Sequence, residues 1–143
     1  MASTGALLTA DANFQSQGNY TILTVPSSGT FFRGSFLYAN SGTANVVQVN
    51  NGSTDNSAVR VIGQAITAST DSVLGSTKVN IRTNGIFQAN ILSGQTLAVG
   101  AIAYLTDDNE LTTTSALNPK AGIVVSIPGD GTAFVYVTLN IPA

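Results

Sequence analysis

From about residue 20 onward, apolar side chains recur at every second position in short runs, and each run ends at a cluster of Gly, Pro, Asn, Asp or Ser. Period two sends successive side chains to opposite faces of a strand, whereas a helix needs a period near 3.6. Lys78-Val-Asn-Ile-Arg82 is the cleanest case, with Val79 and Ile81 expected inward and Lys78, Asn80 and Arg82 outward. Thr132 to Ile141 sets Val135, Val137 and Leu139 against Phe134, Tyr136 and Thr138; both sets are largely apolar, which predicts a central strand. Seven more segments read as strands: 20–25, 35–38, 45–49, 59–62, 85–89, 101–105 and 122–127. No window carries a helical stripe, and Thr67 to Leu74 has room for a short helical turn at most. Around nine short strands at this spacing predict an all-β fold, a compact sandwich or barrel.

The turns have their own chemistry. Gly supplies positive φ, and Asn and Asp bond their own backbone. Asp107-Asp108-Asn109-Glu110 is the only acidic cluster. A calcium loop needs oxygens at alternating positions, a Gly at the sixth and a Glu at the twelfth, and here the alternation stops at Leu111. The segment therefore reads as a tight turn whose two carboxylates point apart, with nothing nearby to shift their ionisation. Pro128-Gly-Asp-Gly131 looks like a phosphate loop but is followed by neither helix nor Lys, so it reads as a hairpin turn.

A weak internal repeat runs through the same segments. Gly34-Ser-Phe-Leu-Tyr38 aligns with Gly100-Ala-Ile-Ala-Tyr104, Val61-Ile-Gly63 with Lys120-Ala-Gly122, and 75–84 with 131–140. One reading is two pseudo-repeated β-units, about 31–84 and 97–141, within a single β domain of residues 20–143. The other is chance alignment of Gly-rich β sequence. Residues 1–19 hold only Leu7, Leu8 and Phe14 as apolar anchors and read as an extended N-terminal arm. Removing residues 1–12 is expected to cost less than about 1 kcal/mol.

Composition narrows the function. The 143 residues include no His and no Cys, so Ser–His or Cys–His nucleophiles, zinc sites of the usual type and disulfides cannot be built. Five Lys and Arg against seven Asp and Glu leave a net charge of −2, too few cations for counterion release from nucleic acid. Charged residues are only 8%; polarity comes from 18 Thr, 14 Ser and 13 Asn. The longest nearly apolar run, Ala98 to Leu105, is far short of the roughly 20 residues that cross a bilayer. The first residues lack a basic segment and do not read as a signal peptide. No catalytic residue, metal ligand or cofactor site is expected, and the chain does not read as an enzyme. Phe31, Phe32, Phe36, Tyr38 and Phe87 serve equally as core or as a sugar-stacking platform, with core favoured; a glycan-binding or adhesin module on a phage head or fibre is the alternative function.

The C-terminal half carries an ordered series: Gly85-Ile-Phe-Gln88, Leu97 to Tyr104, Glu110-Leu-Thr-Thr-Thr114, Asn118-Pro-Lys-Ala-Gly-Ile123 and Asp130 to Leu139. Over about 79–142 it resembles the capsid decoration (cement) proteins of tailed bacteriophages. The resemblance implies a β-rich structural virion protein, often a homotrimer, made in the host cytoplasm and bound to the outer capsid surface. There it would stabilise contacts between capsomers, with the major capsid protein as partner and no nucleic acid, membrane or cofactor. Leu7, Leu8 and Phe14 are then the candidate capsid contacts.

Overall fold

A computed structural model describes residues 7–8, 11, 16–17, 20–39, 46–49 and 59–137. Among them the chain is all-β: about half of these residues lie in eleven strands, and none forms a helix. The strands are β1 (Ser16–Gln17), β2 (Thr21–Pro26), β3 (Phe36–Ala39), β4 (Val47–Val49), β5 (Val61–Ala65) and β6 (Lys78–Thr83). They continue as β7 (Gly85–Ile91), β8 (Ile102–Thr106), β9 (Glu110–Thr112), β10 (Lys120–Ser126) and β11 (Thr132–Val137). Segment 67–74 holds one turn of helical type: the Gly75 amide donates to the Asp71 carbonyl at 3.0 Å, and the Asp71 carboxylate accepts the amides of Val73 and Leu74.

Alternation decides the faces. Val79, Ile81 and Thr83 are buried along β6, while Lys78, Asn80 and Arg82 lie at or near the surface. Along β11, Ala133, Val135 and Val137 are fully buried and Tyr136 is exposed. β11 runs between β7 and β10, antiparallel to both, as a central strand should. Residues 138–141 of that run lie outside the described residues.

The strands form two sheets with one plan. In the second, β7-β11-β10-β8-β9 are neighbours in that order, and β9 returns parallel to β7, closing a five-stranded barrel with β1 as an added edge on β7. In the first, β2-β6-β5-β3-β4 follow the same order, and a single parallel bridge between Ser27 and Val47, just beyond the end of β2, brings β4 back beside it, so this unit is a barrel joined at one point only. Matching β2 through β6 with β7 through β11 pairs the four antiparallel ladders of one unit with the four of the other, and the parallel β7–β9 ladder has the single Ser27–Val47 bridge as its counterpart. Local detail agrees. Gly34 and Gly100, both at positive φ (95° and 90°), enter β3 and β8. The Gly34 amide donates to the Ala65 carbonyl and the Ala65 amide to the Ser35 carbonyl; Gly100, Val124 and Ala101 repeat both bonds.

The structural units begin at β2 and β7, earlier than residues 31 and 97. β6 and β11 match with Thr83 in the place of Val137, because these pair with Thr21 and Gly85, the first residues of β2 and β7. The sequence alignment of 75–84 with 131–140 is therefore displaced by two residues. A slip of two keeps every side chain on its face, so alternation alone cannot detect it.

Each barrel has its own apolar core. Phe31, Leu37, Val47, Ala65, Val79 and Ile81 fill the first. Phe87, Leu105, Leu111, Val124, Val135 and Val137 lead the second, and Phe36 and Val61 of the first unit join them. Neighbouring residues on β3 thus point into different cores: Leu37 into its own, Phe36 into the other. The chain crosses between barrels through a single residue, Asn84, whose φ of 57° is one that Asn tolerates better than most side chains.

Candidate functional site

The two barrels and the N-terminal arm meet at the β8–β9 turn. Asp107, at φ 54°, Asp108 and Asn109 make this turn, and all three are buried. One Asp108 carboxylate oxygen accepts the Ser35 hydroxyl at 2.6 Å and the other accepts the Leu8 amide at 2.9 Å. The Asp108 carbonyl accepts the Phe36 amide at 2.7 Å. Ser35 Oγ in turn accepts the Phe32 amide, so its one proton is committed to Asp108. Among the described residues, Asp107 Oδ2, Asn109 Oδ1 and Thr106 Oγ1 are buried and find no hydrogen-bond partner. The sequence predicts the turn and misses its burial: an Asp-Asp-Asn turn normally faces water, and only the fold presses the first barrel against it.

Burial corrects the expectation that nothing here shifts a carboxylate. It pushes the Asp108 carboxyl above its ordinary value of 3.8, against the opposing pull of the Ser35 hydroxyl and the Leu8 amide. A raised folded value means the native state takes up this proton before the unfolded chain does. The group therefore stabilises the fold as pH falls toward the ordinary carboxylate range, and that contribution is lost as pH rises through the folded value. Asp71 and Asp130 work in the opposite sense: backbone amides of Leu74 and Val73 lower the first, and the hydroxyl and amide of Thr132 lower the second. Asp108→Asn, unable to ionise, should therefore lose stability relative to wild type as pH is lowered from neutral through the raised folded value to the ordinary carboxyl value of 3.8. Parallel melting curves for the two proteins across that range would remove Asp108 as the cause.

The candidate arm contacts fall as follows. Leu7 is exposed and Leu8 partly buried beside Asp108; Phe14 lies outside the described residues. Asp11 accepts the Arg33 backbone amide at 3.0 Å and pairs with its guanidinium at 3.1 Å, and β1 pairs antiparallel with β7 at Ser16–Phe87 and Gln17–Ile86. The described parts of the arm thus bond to both barrels, which raises the expected cost of removing residues 1–12 to about 1–3 kcal/mol, chiefly from the partly buried bond to Asp108. The exposed Arg33 pair adds little.

Of the five aromatics, Phe31, Phe36, Tyr38 and Phe87 are buried and Phe32 is partly so, which makes them core rather than a sugar platform. Among the described residues the exposed aromatics are Tyr20, whose ring lies 5.2 Å from the Arg82 guanidinium carbon, and Tyr136. Tyr136 belongs to an exposed apolar row: Ile102 on β8 stands opposite Ile123 on β10, and Ile123 opposite Tyr136 on β11. Val125 is exposed two residues beyond Ile123, and Val99 is exposed on the loop entering β8. No sequence signal separates this row from core, because its residue types are those of a strand buried on both sides. The 128–131 turn joins antiparallel β10 and β11; Asp130 accepts the Thr132 amide there, with Gly129 and Gly131 at positive φ.

Among the described residues there is no group of three or more His, Cys, Asp or Glu side chains placed to hold a metal ion, and no helix long and apolar enough to cross a membrane. No protein-family model matches the chain, and no curated protein sequence matches it.

Proposed function

We propose that this protein is a structural virion component that binds the outer surface of a phage capsid as a homo-oligomer, a trimer by resemblance, and stabilises contacts between capsomers without catalysing a reaction. One observation carries the reading. The segments that resemble capsid decoration proteins fall one to each strand of the second barrel: Gly85-Ile-Phe-Gln88 on β7, the stretch ending at Tyr104 on β8, Glu110-Leu-Thr112 on β9, Asn118 to Ile123 on β10 and Asp130 onward on β11. The resembling series thus covers one complete structural unit, and the first barrel repeats that unit's plan. The surface is consistent with the role. With 8% charged residues, contacts to a partner rest on apolar, hydroxyl and amide groups and depend little on salt.

The test is co-sedimentation of the purified protein with capsids of the phage that encodes it, assembled without it. Saturable binding and a higher temperature of DNA release from filled heads are expected. Protein left wholly in the supernatant would overturn the reading. The arm is tested on the same particles: the chain lacking residues 1–12 should still fold, and it should leave the capsid faster on dilution. Equal retention would exclude Leu7 and Leu8 as capsid contacts.

A further inference from the structure

The β8–β9 end of the second barrel gathers unsatisfied oxygen atoms. Five buried side-chain oxygens find no hydrogen-bond partner among the described residues, and four of them sit here: Thr106 Oγ1, Asp107 Oδ2, Asn109 Oδ1 and Asn118 Oδ1. Their residues are 0%, 3%, 7% and 1% exposed, respectively. Buried polar atoms are nearly always paired, so four orphans at one end of one strand call for a ligand.

Backbone register brings the four together. Thr106 closes β8 and pairs with Glu110 on β9, so Asp107 and Asn109 lie within the three-residue turn that joins the two strands. On its other side β8 runs antiparallel to β10 with Tyr104 opposite Lys120, and the Leu105 amide donates to the Pro119 carbonyl at 2.9 Å. The same register carries Asn118 opposite Thr106, and opposed residues of an antiparallel pair share a face. The Asn118 side chain is oriented there: Nδ2 donates to the Thr114 carbonyl at 3.1 Å, which leaves Oδ1 as the free end.

The chemistry of these atoms selects the ligand. Three of the four, one carboxylate oxygen and two amide oxygens, accept hydrogen bonds and donate none. One water brings two protons, too few for the three, and no charge to offset the carboxylate. A cation engages all four oxygens at once. Charge points the same way, because Asp107 and Asp108, adjacent and both buried, pair with no Lys or Arg among the described residues. Ca2+ suits an irregular all-oxygen set, taking about six to eight ligands in flexible geometry. Mg2+ demands a regular octahedron and keeps several waters, for which a site this buried has little room.

We propose that Thr106 Oγ1, Asp107 Oδ2, Asn109 Oδ1 and Asn118 Oδ1 form a calcium site at the joint between the two barrels. One carboxylate with three neutral oxygens is not a group of three His, Cys, Asp or Glu side chains, and its ligands come from two separate segments of the chain. The linear spacing of a calcium loop therefore gives no sign of it. Asp108 adds the second negative charge from the neighbouring position while its oxygens hold Ser35 and Leu8. Water completes the coordination through the slight exposure at Asn109. The ion braces the turn to which the Phe36 amide, the Ser35 hydroxyl and the arm all bond. With a single direct carboxylate the site is weak, with a Kd of about 0.1–1 mM.

The inference goes beyond the capsid reading and is tested on the purified full chain without particles, so either can fail alone. Protein stripped with EDTA and titrated with CaCl2 in a calorimeter should take up one ion per chain. Calcium at about 10 mM should raise its melting temperature by about 4–10 °C. Asp107→Asn is the decisive variant. Asn tolerates the φ of 54° at this position, and the substitution removes a buried charge. The variant should melt no lower than wild type in EDTA, yet bind calcium at least about tenfold more weakly. Should it fold poorly, Thr106→Val, which keeps the shape and deletes the hydroxyl, serves in its place. Asp130→Asn, at an exposed turn, should leave binding unchanged. Absence of both calcium heat and a melting shift would overturn the site. So would an equal shift with NaCl or MgCl2 at matched ionic strength, or calcium binding undiminished in Asp107→Asn and Thr106→Val.

Discussion

Gly122→Ala should destabilise the protein by about 3 kcal/mol or more, lowering its melting temperature by about 10 °C. A Cβ at this position would collide with the Tyr136 carbonyl oxygen on β11 and stand 3.2 Å from Val135 Cγ2. The carbonyl belongs to the backbone of a central strand held between β7 and β10, so it cannot swing away as a side-chain tip would. Relief requires β10 and β11 to part, which breaks ladder bonds next to the irregular step between Val124 and Ser126. Gly63→Ala should behave alike, because its Cβ would collide with the Arg82 carbonyl oxygen and meet Ile81 Cδ1 at 3.3 Å. Gly94→Ala and Gly129→Ala provide the contrast. Both positions are open, with φ of 84° and 95°, so only the left-handed backbone penalty of about 1–2 kcal/mol applies. If Gly122→Ala melts no lower than Gly129→Ala, β10 and β11 do not approach as closely as described.

Gly63 and Gly122 also mark the boundary of what the sequence discloses. Alternation in segments such as Lys78 to Arg82 was enough for the all-β class, because a strand with one buried face can satisfy its side chains only at period two. The ordered glycines hint at a repeat, yet the close approach that requires Gly63 and Gly122 exists only once β5 lies on β6 and β10 on β11. Strand β1 gives no signal: two residues of Ser and Gln pair with β7 because the edge is there, not because they favour it. The burial of Asp107 to Asn109 is hidden for the same reason, since a polar turn gives no sign that Phe36 and Leu8 bond to it. Apolar character on both faces of β11 predicts a central strand, and that follows from its neighbours in the sheet. It does not predict that Tyr136 would stand uncovered, because residue type reports a preference for burial and not whether the cover lies within the same chain.

The faces of β11 can be separated by two charges on adjacent residues. Val137→Asp should prevent folding at neutral pH, whereas Tyr136→Asp should leave the monomer's melting temperature within a few degrees of wild type. Val137 is fully buried among Phe87, Leu105 and Val135 and lies opposite the buried Gly85. A carboxylate there has no partner for its charge, and an uncompensated buried ion costs about 3–5 kcal/mol, to which the lost Val packing adds. Against a total stability of about 5–15 kcal/mol for a domain, that leaves little or no folded protein. Tyr136, one residue back, projects from the outer face, where a carboxylate keeps its water. Acidification supplies the decisive control. Burial raises the ionisation value of the introduced carboxyl above its unfolded value, so its penalty should shrink as pH falls and the neutral acid becomes the buried form. Circular dichroism of Val137→Asp should therefore show some strand signal and a broad melting transition recovered near pH 4 relative to neutral pH. A soluble Val137→Asp protein that melts cooperatively at neutral pH would instead put this side chain outside the second barrel and reverse the assignment of β11's faces, and with it the exposed row.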